Sequence, residues 1–133
     1  MDTATEVEAE HAAGSRPPVT GFPKAVRALV AQRANEMCER CGAWTDAPQY
    51  HHRRPRGAGG SRAGDTNTAS NCLYLCALCH RITEDKRDRA LFYGHLIRQG
   101  RNPAQEPVWW RDKWVLFNTD GTTTEYKEEP KWG

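Results

Sequence analysis

The sequence predicts a small α+β domain stapled by a metal ion. Two Cys-x-x-Cys pairs, Cys38/Cys41 and Cys76/Cys79, stand 34 residues apart and together supply four thiolates. An apolar run of strand length, Cys72–Leu75, leads straight into the second pair. Helical patterns lie before the first pair and after the second. Four thiolates fit a closed tetrahedral structural zinc site, which has no open position for chemistry. The fifth cysteine, Cys72, sits in the apolar run and reads as a small core residue.

The elements follow in order. Residues 1–20 hold almost no large apolar side chains and read as a disordered acidic tail, because such a stretch cannot bury enough surface to offset its ordering entropy. Residues 22–37 pattern as an amphipathic helix, with Pro23 in the first turn and Val26, Leu29, Val30 and Met37 near one face. Gln49–His52 is a short extended candidate ended by Arg53-Arg54-Pro55. Residues 56–70 are rich in Gly, Ser, Thr and Asn and form a loop. From Cys76 a charged helical stretch runs to about Tyr93 and stops near Gly94. Residues 100–108 are a loop with Pro103 and Pro107. A hairpin closes the chain, Trp114–Phe117 and Thr122–Tyr126 around Asn118-Thr119-Asp120-Gly121. The division expected is a tail (1–20), a site-bearing domain (21–98) and a hairpin extension packed on the same domain (99–133).

Composition narrows the function classes. The chain has 133 residues, 38% of them hydrophobic, with a mean hydropathy of −0.84. A folded part this small and polar calls for a staple. Asp2, Glu6, Glu8 and Glu10 against Arg16 leave the tail at −3, so the rest of the chain carries +5 of a total of +2. A basic body suits a polyanionic partner. No run of 18 apolar residues argues for a membrane span, and the acidic start from Met1 to Glu10 does not resemble a secretory signal. A reducing cytoplasm is therefore expected, where paired cysteines serve metals rather than disulfides. Cys76-Ala77-Leu78-Cys79-His80 also spells a haem-attachment sequence, but that reading needs export and leaves the other pair idle.

Between and beside the knuckles stand His51-His52, Asn71 and His80. Successive side chains of a strand point to opposite faces, so His51 and His52 cannot do the same job. One can face a metal shared with His80 and the other a substrate. Neutral imidazole is a suitable base near neutral pH. Arg53, Arg54, Arg56 and Arg62 fall within ten residues with no acidic residue among them, and read as a phosphate-gripping loop. Trp109, Trp110 and Trp114 are either core residues or platforms for bases. His11 and His95 receive no role.

The run from Tyr50 to Ser61 (YHHRRPRGAGGS), then Asn71, then Leu75-Cys76-Ala77-Leu78-Cys79-His80, resembles the HNH endonuclease family. The likeness is to small phage-type members with a Cys-x-x-Cys on each side of the motif. It spans roughly Cys38 to Gly121, and the part from Gly94 onward resembles the C-terminal extension of actinobacteriophage HNH proteins. The resemblance implies a ββα-metal (His-Me finger) fold and hydrolysis of DNA, as nicking or double-strand cutting, with a catalytic Mg²⁺, Mn²⁺ or Ni²⁺ besides structural zinc. It implies His51 and His80 as ligands of the catalytic ion, His52 as general base and Asn71 as the residue that pins the loop. Where relatives carry a further histidine one turn after His80, this chain has Glu84, either a carboxylate ligand or a solvated helix residue. The resemblance also implies a bacterial host cytoplasm and work beside a phage terminase or portal protein. The alternative is a zinc-ribbon DNA-binding module or packaging adaptor without catalysis, which has no need of the histidines and Asn71.

Overall fold

The computed structural model describes residues 21–56 and 64–127. The expected tail, Gly57 to Ser61 and Arg62 of the basic loop, and residues 128–133 lie outside the described residues. The architecture is small α+β, with three α-helices and two antiparallel sheets among the described residues. Helix α1 is Lys24–Ala34; strands β1 (Gln49–His52) and β2 (Cys72–Leu75) form a hairpin; helices α2 (Ala77–Asp85) and α3 (Arg87–Tyr93) follow; β3 (Val108–Trp110), β4 (Lys113–Phe117) and β5 (Thr123–Glu125) make the second sheet. No helix among the described residues is long and apolar enough to cross a membrane.

The register of the first hairpin organises the interior. Gln49 pairs with Leu75, Tyr50 with Tyr74, His51 with Leu73 and His52 with Cys72. All four β2 residues are buried, but alternation sends them to two different cores. Leu73 and Leu75 pack with Cys38, Cys79, Val108, Val115 and Phe117. Cys72 and Tyr74 pack with Phe22, Val30, Ala34 and Ala69. Directly opposed residues share a face of the sheet, so His51 lies on the side of the second sheet and His52 on the side of α1.

Buried charge ties these layers together. Arg33 of α1 meets Glu39 of the first knuckle in a bidentate pair, Nε and Nη2 each 2.8 Å from a carboxylate oxygen. Their side chains are 2% and 0% exposed. Glu39 also accepts from the Tyr74 amide at 2.9 Å and the Trp110 indole N–H at 3.0 Å. Arg33 further donates to the carbonyls of Ala69 and Cys72, and its guanidinium lies 3.6 Å from the Phe117 ring centroid.

Several local expectations need correction. Helix α1 stops at Ala34 rather than 37, because Asn35 and Glu36 turn left-handed (φ 55° and 60°) and close it with amide bonds to Gln32 and Ala31. Leu29 is accordingly not a core residue; it is 37% exposed, beside the turn at Gly121. The stretch after Cys76 is two helices broken at Lys86 (φ −109°, ψ 65°), where no proline or glycine marks the break. Gly94 ends α3 at φ 76°, and a Cβ there would lie 2.1 Å from the Pro107 carbonyl oxygen, so only glycine fits. Val108–Trp110, read as loop end and aromatics, adds a third strand to the terminal hairpin.

Removing one partner of a buried ion pair strands the other charge and costs about 3–5 kcal/mol. Glu39→Gln should therefore lower the melting temperature by more than about 10 °C, since about 1 kcal/mol shifts a domain of this size by roughly 4–8 °C. A melting curve within 2–3 °C (about 0.5 kcal/mol) of wild type would show that the pair is not what joins the layers.

Candidate functional site

The four knuckle cysteines converge. The Sγ atoms of Cys38, Cys41, Cys76 and Cys79 all lie within 4.8 Å of one another, and Cys41 to Cys76 is 4.0 Å. A tetrahedral zinc with Zn–S near 2.3 Å requires S···S edges of about 3.8 Å. The donor set thus fits a structural metal such as zinc. The knuckle folds locally: the Cys38 amide donates to the Ala43 carbonyl at 2.7 Å, and Gly42, at φ 82°, returns its amide to Cys38 at 2.8 Å. At the second knuckle Cys76 caps α2, its sulfur accepting from the Cys79 amide at 3.4 Å. Burial pushes the Cys38 thiol up, but amides of Cys41, Cys76 and Arg40 outweigh it and hold the thiol below its ordinary range. Such donors favour the thiolate, the metal-binding form. Cys72 stands apart, fully buried in the α1-side core, its thiol pushed up by burial.

A second cluster forms where β1 meets α2. His51, His80 and Glu84 each present one ligand atom within 4.8 Å of the others. His51 comes from the buried face of β1; His80 and Glu84 are one turn apart on α2, with Nε2 and Oε2 separated by 3.4 Å. Both rings are oriented from behind. His51 Nε2 is 2.9 Å from the His95 carbonyl oxygen, which can only accept, so Nε2 carries the proton and Nδ1 keeps the lone pair. His80 Nδ1 meets the Gln49 amide oxygen, which leaves Nε2 free toward Glu84. A carbonyl or amide behind each ring is the usual way a metal histidine is held. Burial pushes the His51 pKa down to about 3, so the ring is neutral and able to donate. Two imidazoles and a carboxylate suit a borderline or hard divalent ion.

His52 is not part of that cluster. It faces the α1 side, its ring stacked on Phe22 at 4.0 Å and 19°, with Nε2 2.7 Å from Asn67 Oδ1. Burial holds its pKa below the ordinary value. Asn71 is fully buried in the 3-10 turn Ala69–Asn71. Its Oδ1 accepts from the Arg54 amide at 2.7 Å, and its Nδ2 donates to the Thr66 carbonyl at 2.8 Å and the Arg54 carbonyl at 3.2 Å. It clamps the two ends of the basic loop together.

The basic loop divides. Arg53 is 0% exposed and donates to the carbonyls of Gly94, Ser70, Pro103 and Glu106 at 2.8–2.9 Å. Burial, then the neighbouring Arg33, push its pKa down to about 9, still charged at neutral pH. Arg54 is 6% exposed, ion-paired to Asp65, and donates to the Arg101 carbonyl at 2.7 Å. Neither guanidinium is placed to grip a phosphate. The acid that pairs Arg54 lies just past the arginine run. Arg56 is half-buried and makes no hydrogen bond or ion pair with another described residue, and Arg62 lies outside them.

Residues without an expected role complete the arrangement. Gln49 was legible in principle, because it is two positions before His51 and so on the same strand face. His95 is 5% exposed; its carbonyl holds His51 while its ring meets the Trp109 carbonyl at 3.2 Å. Trp109 and Trp114 pack edge to face at 5.3 Å, with Tyr93 near both. Trp110 packs on Phe117. Comparison of the sequence with protein-family models and with curated proteins found no match to either.

Structural zinc binds small peptides with about 10–16 kcal/mol. Cys41→Ser should therefore lose stoichiometric zinc and unfold or aggregate, whereas Cys72→Ala should keep its zinc. Elemental analysis of purified protein reads both outcomes. Wild-type protein free of tightly held zinc would remove the staple.

Proposed function

We propose that the chain is a metal-dependent HNH-type endonuclease that hydrolyses DNA phosphodiester bonds on a zinc-stapled ββα-metal scaffold. The observation that carries this reading is the convergence of His51, His80 and Glu84 within 4.8 Å at the meeting of a hairpin and the helix that follows it. The order β1, β2, α2 supports the ββα assignment. Zinc-ribbon binding alone gives no reason for two oriented histidines and a carboxylate beside the knuckles. Work with a phage terminase in packaging is the biological setting that the sequence resemblance suggests.

In this reading His51 through Nδ1, His80 through Nε2 and Glu84 through a carboxylate oxygen hold the catalytic ion. Such an ion supplies positive charge to a phosphate oxygen and to the leaving oxygen. His52, at the end of β1, takes the proton from the attacking water. Asn71 acts at one remove, keeping the Arg54 and Thr66 ends of the loop joined so that His52 stays at a defined edge of the hairpin. Arg56 and Arg62 carry the phosphate contacts left once Arg53 and Arg54 are committed to the fold.

A plasmid-nicking assay of the zinc-loaded protein with Mg²⁺, Mn²⁺ or Ni²⁺ tests the activity. General-base catalysis typically contributes 10²–10⁴-fold, so His52→Ala should lose cleavage by about that factor while keeping zinc and its melting temperature. His51→Ala and His80→Ala should lose cleavage with partial recovery at high metal concentration. A wild type that binds DNA but never cuts with any divalent ion would favour the zinc-ribbon module.

The arginines give a second test. Arg56→Ala should weaken DNA binding for all sequences alike and reduce the salt slope by about one. Arg53→Ala should instead destabilise the fold, because four carbonyls lose their donor. An unchanged salt slope for Arg56→Ala would place the phosphate surface elsewhere.

A further inference from the structure

His52 is held by a residue that the motif does not contain. Asn67 Oδ1 lies 2.7 Å from His52 Nε2, and Phe22 stacks on the imidazole at 4.0 Å. The stack restricts the plane of the ring but is indifferent to which nitrogen carries the proton. The amide contact is not indifferent, because an amide oxygen can only accept. Asn67 is itself held from both sides. The carbonyl before it, Thr66, accepts from Asn71 Nδ2 at 2.8 Å. The residue after it, Thr68, donates through Oγ1 to the Asp65 carbonyl at 2.9 Å and shares a hydrogen bond with the Ser70 hydroxyl at 2.8 Å. The Arg54–Asp65 ion pair anchors the same segment to the end of β1. The loop is thus built so that one side-chain oxygen arrives at one ring nitrogen.

We propose that Asn67 is the positioning residue of His52, holding the imidazole as the Nε2–H tautomer so that Nδ1 keeps the lone pair that accepts the proton from water. This rests on the nuclease reading and assigns a specific atom within it. The division of labour is that Asn71 sets the loop, Asn67 sets the tautomer and Phe22 sets the ring plane. Partners that orient a metal-bound histidine through its second nitrogen are worth roughly 10- to 100-fold, and the same scale is expected for the partner of a base.

The test combines a spectroscopic and a kinetic readout on the full-length, zinc-loaded chain. Nitrogen-15 spectra of labelled histidine at neutral pH should show His52 with a protonated Nε2 and an unprotonated Nδ1 in wild type. Asn67→Ala should lose that bias while retaining zinc and melting temperature, and its kcat for plasmid nicking should fall roughly 10- to 100-fold with KM little changed. Asn67→Asp offers only acceptor oxygens, so it should restore both the tautomer and most of the rate. A wild-type His52 protonated on Nδ1 would overturn the proposal, as would an Asn67→Ala protein that cuts as fast as wild type. A wild type that shows the tautomer but never cleaves would instead overturn the nuclease reading, and the assignment of a base with it. Should Asn67→Ala fail to fold, the Asn67→Asp and Asn67→Leu pair carries the comparison, Leu filling the space without an acceptor. Equal tautomer and rate in those two variants would refute the role.

Discussion

Arg33 and Glu39 meet almost entirely out of water, and the pair joins α1, the first knuckle, β2 and the second sheet. Through Arg33 the end of α1 reaches the carbonyls of Ala69 and Cys72. Through Glu39 the first knuckle reaches β2 at Tyr74 and the second sheet at Trp110. A carboxylate that accepts four hydrogen bonds in the interior is well compensated, and Arg33 in turn makes four hydrogen bonds, to Glu39, Ala69 and Cys72. A small polar chain cannot enlarge its apolar core. It uses buried charge to specify which surfaces meet, and a closed thiolate cluster to hold the ends of the segment between them.

Arg53 repeats the device at the end of β1, its guanidinium 5.5 Å from the centroid of the same Phe117 ring. Its carbonyl partners come from Ser70 beside β2, Gly94 after α3, and Pro103 and Glu106 ahead of β3. The guanidinium thereby binds segments far apart in sequence to the end of β1, next to His51 and His52. The same segment supplies the His95 carbonyl behind His51. Orientation of a candidate metal ligand therefore depends on how the segment just after α3 is docked, although no residue of that segment is among the three candidate ligands.

Much of the arrangement was legible in the sequence, for identifiable reasons. The cysteine spacing announced the thiolate cluster, and the apolar run at 72–75 announced a buried strand. Alternation alone separated His51 from His52, and the same rule puts Gln49 on the face of the former, a step the sequence reading did not take. Asn71 clamps the loop by hydrogen bonds to the backbone of Arg54 and Thr66. What was not legible depends on long-range partners. Arg53 and Arg54 read as solvent-facing because nothing in a local window reveals the carbonyls and Asp65 that receive them. The break at Lys86 and the left-handed pair Asn35-Glu36 have no strong local marker. Asn67 looked like one polar loop residue among several, and only the folded loop shows that its amide meets a histidine.

The register of the first hairpin has a consequence for how sequences of this kind can diverge. Insertions between Arg56 and Gly64 fall between Arg54 and Thr66, which Asn71 holds together, so the paired strands need not notice. An insertion of one residue inside Gln49–His52 is different in kind. Because His51 opposes Leu73 and His52 opposes Cys72, a slip by one position would exchange the two histidines between faces and turn Tyr50 toward the wrong core. Length variation should accordingly collect in the loop, while the strand tolerates changes of residue but not of residue number.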